Sequence, residues 1–306
     1  MESTNSDYTF SEDVQMKSYI TILVAVLFIS CFGLTCFAAC PSADLTGDCV
    51  VDFKDFAKMA EQWLTEGIPA DPEALVWVSI NEPNFTGQMS KYETTNAQYC
   101  QYLNAAKGAN QITVYNNVVY ATSDTSHSQP YFNTYASSSY SQITYSGGTF
   151  SVCSRDGYSM ADHPVVMVSW YGATAFCNYY GYRLPTEWEW QAVADYNTVP
   201  LYTYGCGMSI DSSKANYNGN NPLGLTSWPY TTPVGYYPAY GYGMCDMAGN
   251  VWEWTSSCYY SDCSGGSRVF RGGSWLNSDS FCTVSGRFDD IESIRAKRFN
   301  IMHLLV

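Results

Sequence analysis

Gly249-Asn250-Val251-Trp252-Glu253-Trp254 and Arg271-Gly272-Gly273-Ser274-Trp275 are the stretches on which the reading of this chain turns. Three earlier runs precede them in order: Tyr92-Glu93-Thr94-Thr95-Asn96-Ala97-Gln98-Tyr99, Pro164-Val165-Val166-Met167-Val168-Ser169-Trp170 and Arg183-Leu184-Pro185-Thr186-Glu187-Trp188-Glu189-Trp190. The earlier runs have direct local meaning. Thr95 with Gln98, and Thr186 with Glu189, have capping-box spacing, in which a hydroxyl and a side-chain oxygen three residues on each accept a backbone N–H. They predict a helix after Thr95 that buries Tyr99, Leu103 and Ala106, and a second helix over residues 187–194. The apolar run 164–170 predicts a buried strand that leads into a helix with Ala173, Phe176, Cys177 and Tyr180 on one side, ended by Gly181. Residues 75–78 and 118–120 read as short strands. Trp170, Trp188 and Trp190 are expected in the core.

The 306-residue chain is 46% hydrophobic but only 14% charged, against about 25% in an ordinary soluble protein. Tyr (27), Gly (23) and hydroxyl residues take the place of the missing charge. Such a composition favours turns, short strands and loops over long charged helices. With a formal charge of -14 and 14 Lys and Arg, the chain lacks the clustered cations that nucleic acid demands. The three histidines, His127, His163 and His303, have no metal-ligand spacing, which argues against zinc. Twelve cysteines suit an oxidising compartment, and Cys258 and Cys263 are spaced for a local disulfide. Spacing alone leaves the other pairings open, with buried thiols as the second reading.

Residues 16–39 read as a signal peptide: Lys17, an apolar run from Ile20 to Ile29, then Ala38-Ala39. Residues 1–15 then look like an overextended start. The apolar run is shorter than the roughly 20 residues of a membrane span, so no span is expected in the mature chain. Phe37-Ala38-Ala39-Cys40 is also a variant lipoprotein box, with Cys40 as the acylation site. The expected location is secreted or in the cell envelope.

Residues 40–67 form the next segment, with 68–74 as linker and 75–306 as the main domain. Within it, Asp44, Thr46, Asp48, Val50 (through its carbonyl), Asp52 and Asp55 occupy alternate positions of a twelve-residue acidic loop. This is the register in which oxygens turn to a common calcium ion. Phe56, Met59, Ala60 and Trp63 follow at helical spacing, and Gly67 marks an end. The segment resembles one half of a dockerin repeat, with Cys49 where Gly is usual and no second repeat. A Cys40–Cys49 bond would tie it down; an acidic solvated linker is the plain alternative.

The five runs in this order resemble the formylglycine-generating-enzyme, or sulfatase-modifying-factor, family over roughly residues 75–287. The resemblance implies an α+β fold: a compact mixed domain, poor in regular structure and related to C-type lectins. It implies a calcium ion held by Asp246, Gly249, Val251 and Glu253, with carboxylates from the acids and carbonyls from the other two. A second calcium site would start at Asn216 and Tyr217, but Thr226 stands where its acid is expected. Catalytic members hold copper between two cysteines five residues apart. Here the second is Cys282 and the first is Asn277, and an amide is a poor ligand for Cu(I). Ser274 and Trp252 match residues that line the family's active-site cleft. The family closes with a Gly-Phe-Arg strand, whereas residues 294–306 turn basic and then apolar, as a frame change near Asp290 would produce. Loss of an edge strand is the expected consequence.

These readings predict an exported domain that uses calcium rather than copper, without formylglycine-generating activity, acting as a binding module for a peptide or glycan. The alternative is an active oxidase that converts a cysteine of an exported sulfatase. A third reading makes the acidic loop an attachment to a surface scaffold.

Overall fold

A computed structural model describes residues 50–55, 58, 75–83, 85–196, 200–295 and 299–300. The chain divides into two compact units, residues 1–66 and 67–306. Of the first unit, residues 53–55 are helical, and two turn bonds are present: Asp52 N–H to Asp55 Oδ2 (2.8 Å) and Lys54 N–H to Asp52 Oδ1 (2.7 Å). Asp55 is buried, while Val50 and Phe53 are exposed. The signal peptide, the loop residues Asp44, Thr46 and Asp48, and the Cys40–Cys49 pairing lie outside the described residues.

The second unit begins with the hairpin β1 (Trp77–Glu82) and β2 (Phe85–Ser90), followed by helix α1 (Asn96–Gly108). Three strands form the next sheet, β3 (Ile112–Tyr115), β4 (Val118–Ala121) and β5 (Pro130–Asn133), paired antiparallel in chain order. Two small hairpins come next, β6 (Ile143–Ser146) with β7 (Thr149–Val152) and β8 (Ser154–Arg155) with β9 (Tyr158–Ser159). Helices α2 (Trp170–Tyr180) and α3 (Glu187–Asp195) then precede a long stretch of turns. The last sheet contains β10 (Trp252–Cys258), β11 (Ser267–Arg271), β12 (Phe288–Ile291) and β13 (Phe299–Asn300), in the spatial order β12-β11-β10-β13. This is the mixed α+β architecture that the family resemblance implies.

The helix signals act as the sequence indicates. Both capping boxes are closed, at Thr95/Gln98 and at Thr186/Glu189. Gly181 ends α2 in the left-handed region (φ 76°), which a residue with a Cβ enters only under strain. One face of α1 carries Tyr99, Leu103 and Ala106 inward, and one face of α2 carries Ala173, Phe176, Cys177 and Tyr180. These faces meet through aromatic contacts, Tyr99 and Tyr102 each with Phe176, at 5.8 and 5.4 Å between centroids. At Gly172, α2 lies flush on β5, because a Cβ there would overlap the carbonyl oxygen of Tyr131.

Three expectations need correction. Residues 164–169 are buried and extended but form no regular strand. Only single bridges hold them, Thr95 to Pro164 and Phe132 to Val168, and Met167 at φ 68° breaks any ladder. Trp190 is fully buried and Trp170 is half-buried, but Trp188 is 65% exposed. Two residues along a helix is a rotation of roughly 200°, so Trp188 and Trp190 face opposite ways. Finally, the edge strand is not lost. Phe299–Asn300 pairs parallel to β10 at Trp252 and Glu253, giving the edge of β10 a hydrogen-bonding partner. The Cys258–Cys263 disulfide is present, closing the turn after β10 with a Cα–Cα distance of 5.1 Å.

The first turn of α1 is anchored on residues 160–164. Asn96 donates its N–H to the His163 carbonyl (2.9 Å) and its Nδ2 to the carbonyls of Met160 and His163 (2.9 and 3.0 Å). The His163 ring is buried with Nδ1 2.9 Å from Thr231 Oγ1, and burial lowers its pKa from 6.5 to about 4. A depressed folded-state pKa contributes stability that is full above the unfolded value and is lost as pH falls through the folded one. Urea unfolding should therefore show a loss of up to about 3 kcal/mol between roughly pH 6.5 and pH 4. His163→Gln should flatten that limb. An identical pH dependence in the variant would refute the assignment.

Candidate functional site

Three buried acids influence one another at the 246–251 turn, Asp246 and Glu253 from the turn and its strand and Glu93 from far earlier in the chain. Glu253 lies on β10, wholly buried, and its Oε2 accepts the indole N–H of Trp190 at 2.7 Å. Asp246, in the left-handed region at φ 59°, accepts the Gly235 N–H on Oδ2 at 2.7 Å. Glu93, just before the capping box of α1, accepts Asn250 Nδ2 at 2.7 Å and the Val251 N–H at 3.3 Å. Burial raises the pKa of all three, that of Asp246 to about 6. Mutual repulsion raises Glu93 and Glu253 further.

The turn itself is fixed by its neighbours. Gly249 has φ +84°, and a Cβ there would overlap the Asn216 carbonyl oxygen. Asn250 N–H donates to that same carbonyl at 2.7 Å, and the Asn250 carbonyl accepts the Trp275 N–H at 2.8 Å. The Asn250 side-chain oxygen accepts from the Thr232 N–H (3.1 Å) and from Asn216 Nδ2 (3.3 Å).

Of the resemblance-derived ligands, the structure thus places Asp246, Gly249, Val251 and Glu253 around one turn. Asn216 supports that turn from behind. Thr226 directs its N–H and hydroxyl to Asp156 (2.9 and 2.8 Å), away from any shared set with Asn216 and Tyr217. Among the described residues no three His, Cys, Asp or Glu side chains converge as a chelating group. An ion at the turn must therefore be completed by backbone carbonyls. The donor set that the resemblance names, two buried and mutually repelling carboxylates with two carbonyls, is of the hard-oxygen kind that calcium takes.

Around Cys282 the pattern differs. Its thiol is fully buried against Gly273, where any Cβ would collide with Sγ. Burial first, and Cys206 second, push its pKa up to about 12, so it is a neutral thiol. Asn277 accepts the Ser274 hydroxyl at 2.5 Å on Oδ1 and donates its N–H to the Ser274 carbonyl at 2.9 Å. Ser274 and Trp252 are both buried; Trp252 packs edge-on against Phe270, Phe288 and Phe281. They are walls, as the sequence suggests, but walls of packed core rather than of an open cleft.

Sequence reasoning passes over two features. Glu93 is one, although an acid two residues before a capping box is the available signal. The other is an ion network: Glu187 Oε2 accepts from Arg271 Nη2 at 3.0 Å and from Arg287 Nε at 2.6 Å. The Arg271 guanidinium also reaches the carbonyls of Val284 and Gly286, tying the glycine pair to the segment beyond Cys282.

Residues 77–299 match the family of sulfatase-modifying factor enzyme 1-like domains, and the chain belongs to that family. It is 41% identical over 108 residues to the formylglycine-generating enzyme of Mycobacterium tuberculosis, covering 33% of this chain and 35% of that one. It is 37% identical over 122 residues to the inactive C-alpha-formylglycine-generating enzyme 2 of Bos taurus, covering 38% and 40%. It is 41% identical over 139 residues to the serine/threonine-protein kinase pkn1 of Chlamydia caviae, covering 40% and 21%. The matched segments thus span less than half of each of these relatives. Among solved structures, CarF aligns with a TM-score of 0.49 at 19% identity, over 77% of this chain and 95% of that one. PvdO from Pseudomonas aeruginosa aligns at 0.47 and 17%, over 76% and 92%.

Glu93 and Asn250 act on the turn as positioning residues. Glu93→Gln should cost about 2 kcal/mol, because one of the two N–H groups it receives loses its acceptor. Asn250→Ala should cost at least as much, since it strands buried partners on three segments, at Glu93, Thr232 and Asn216. Both are read from urea unfolding at neutral pH. Wild-type stability in either variant would show that the turn stands without them.

Proposed function

We propose that this chain is a sulfatase-modifying-factor-like domain that retains the family's calcium turn, lacks its copper oxidation, and works as a binding module outside the cytoplasm. The observation that carries the reading is Asn277. At the position of the first catalytic cysteine stands an amide already engaged with Ser274, while Cys282 five residues on is a buried, neutral thiol. Two thiolates hold Cu(I) well, and one thiol with an amide does not. Sulfatase-modifying-factor relatives include both a formylglycine-generating enzyme and a protein named as an inactive one, so the family accommodates either outcome. The exported location rests on residues 16–39, and the acidic loop at 44–55 is a second calcium candidate on the strength of its spacing.

Calcium would be held by Asp246 and Glu253 through carboxylates and by Gly249 and Val251 through carbonyls. It would supply the positive charge that lets buried acids ionise, and so would act on stability rather than on a reaction. The active-oxidase reading is favoured by the 41% identity to the Mycobacterium tuberculosis enzyme and opposed by Asn277.

Incubation of the purified protein with a Cys-x-Pro-x-Arg peptide, copper and oxygen should give no aldehyde by mass spectrometry. Asn277→Cys should restore copper binding. Aldehyde formed by the unaltered protein would overturn the proposal. Separately, chelation of calcium should lower the unfolding midpoint by at least about 5 °C, and Asp246→Asn should remove the response. An unchanged midpoint would exclude calcium at the turn.

A further inference from the structure

We propose that the cavity between α1, α2 and the β3–β5 sheet is a subsite for one neutral sugar ring. The cavity holds about 310 Å³, at the small end of ligand sites and too small for a folded peptide segment. Three tyrosines line it: Tyr102 from α1, Tyr131 from β5 and Tyr179 from α2. Gln111 and Asn178 stand exposed at its rim, with Ile112 in the floor. This inference deepens the binding-module reading and rests on it.

The lining chemistry narrows the ligand. No charged side chain borders the cavity, and the chain as a whole carries -14, so an anion finds nothing to pair with. A cation likewise finds no carboxylate in the lining. What the cavity offers is aromatic surface, phenol hydroxyls and two carboxamides. Tyr102 and Tyr179 meet edge to face at 5.3 Å, which sets two ring surfaces at a steep angle. Aromatic faces bury the apolar C–H faces of a sugar, and carboxamides donate to and accept from adjacent hydroxyls.

A second observation points into the same place. Tyr102 is only 2% exposed yet lines the cavity, and no residue of the described structure takes its hydroxyl in a hydrogen bond. Its oxygen is not sealed off from solvent, so a ligand in the cavity can reach it. Burial keeps the Tyr102 and Tyr131 phenols in their neutral, donating form. A ligand rich in hydroxyls would meet this unused capacity. The walls are rigid where it matters: Gly172 rests on the Tyr131 carbonyl, which also accepts the Ser169 N–H at 3.0 Å.

Saturation-transfer NMR on the full chain, with glucose, galactose, mannose and N-acetylglucosamine as separate probes, tests the assignment. Glucuronate and choline serve as charged controls. At least one neutral sugar should give a signal and both controls none. Asn178→Ala, at the exposed rim, should weaken binding by about tenfold with an unchanged unfolding midpoint, and Tyr179→Ala, which also removes core packing, should abolish the signal. Tyr102→Phe, which removes only the hydroxyl, should weaken it several-fold. Absence of signal from all four sugars overturns the proposal. So does a signal that survives Tyr179→Ala, or equal binding of either charged control. The peptide-oxidation assay is independent: aldehyde formation would remove the binding-module reading, whereas a sugar null with no aldehyde removes only this subsite.

Discussion

Much of this domain depends on one side chain, Asn250. Its amide nitrogen holds Glu93, its side-chain oxygen accepts from Thr232 and Asn216, and its backbone bonds Asn216 and Trp275. Those partners come from the approach to α1, from two loops of the long irregular stretch, and from the glycine-pair segment. A chain so poor in regular structure lacks ladders to set its loops against one another. Here a carboxamide, with two donors and an acceptor that takes two bonds, does what a strand would do elsewhere. The left-handed conformation of Asn250 (φ 54°) is one that Asn tolerates better than most residues.

The glycine pair Gly272-Gly273 belongs to the same arrangement. Gly272 stands over Glu253, and Gly273 makes room for the sulfur of Cys282. Both have positive φ, which favours glycine, and at Gly273 the crowding by Cys282 requires it as well. Arg271 then fixes the strand end through the buried Glu187, with the half-buried Arg287 as that acid's second partner. A charge network of this kind stabilises little by itself, but removing one member leaves an uncompensated charge inside.

What could be read from the sequence follows a physical division. Capping boxes, amphipathic faces and the Cys258–Cys263 turn depend on residues close in the chain, and they appear as the spacing indicates. The exposed Trp188 escaped because a tryptophan's apolarity says nothing about which side of a two-turn helix faces the core. Residues 164–169 have strand composition, but Met167 adopts a conformation that only its tertiary setting explains. The tail pairing at Phe299 and the role of Glu93 are long-range facts. Glu93 meets a turn about 157 residues away, a separation at which no local pattern carries information. Asn277 was legible because the resemblance supplied its register.

The contact of Gly172 with the Tyr131 carbonyl has a consequence for how such a domain diversifies. Two backbones touch there with no side chain between, so the spacing of α2 from β5 does not depend on any variable residue. The side chains of Gln111 and Asn178 project from that fixed frame into solvent, while only their backbones bond within it. Mutational drift at these positions can alter what the surface recognises at little expense to folding. A scaffold with a backbone-defined hollow and dispensable rim residues is one on which lineages can acquire new binding preferences while the interior stays the same.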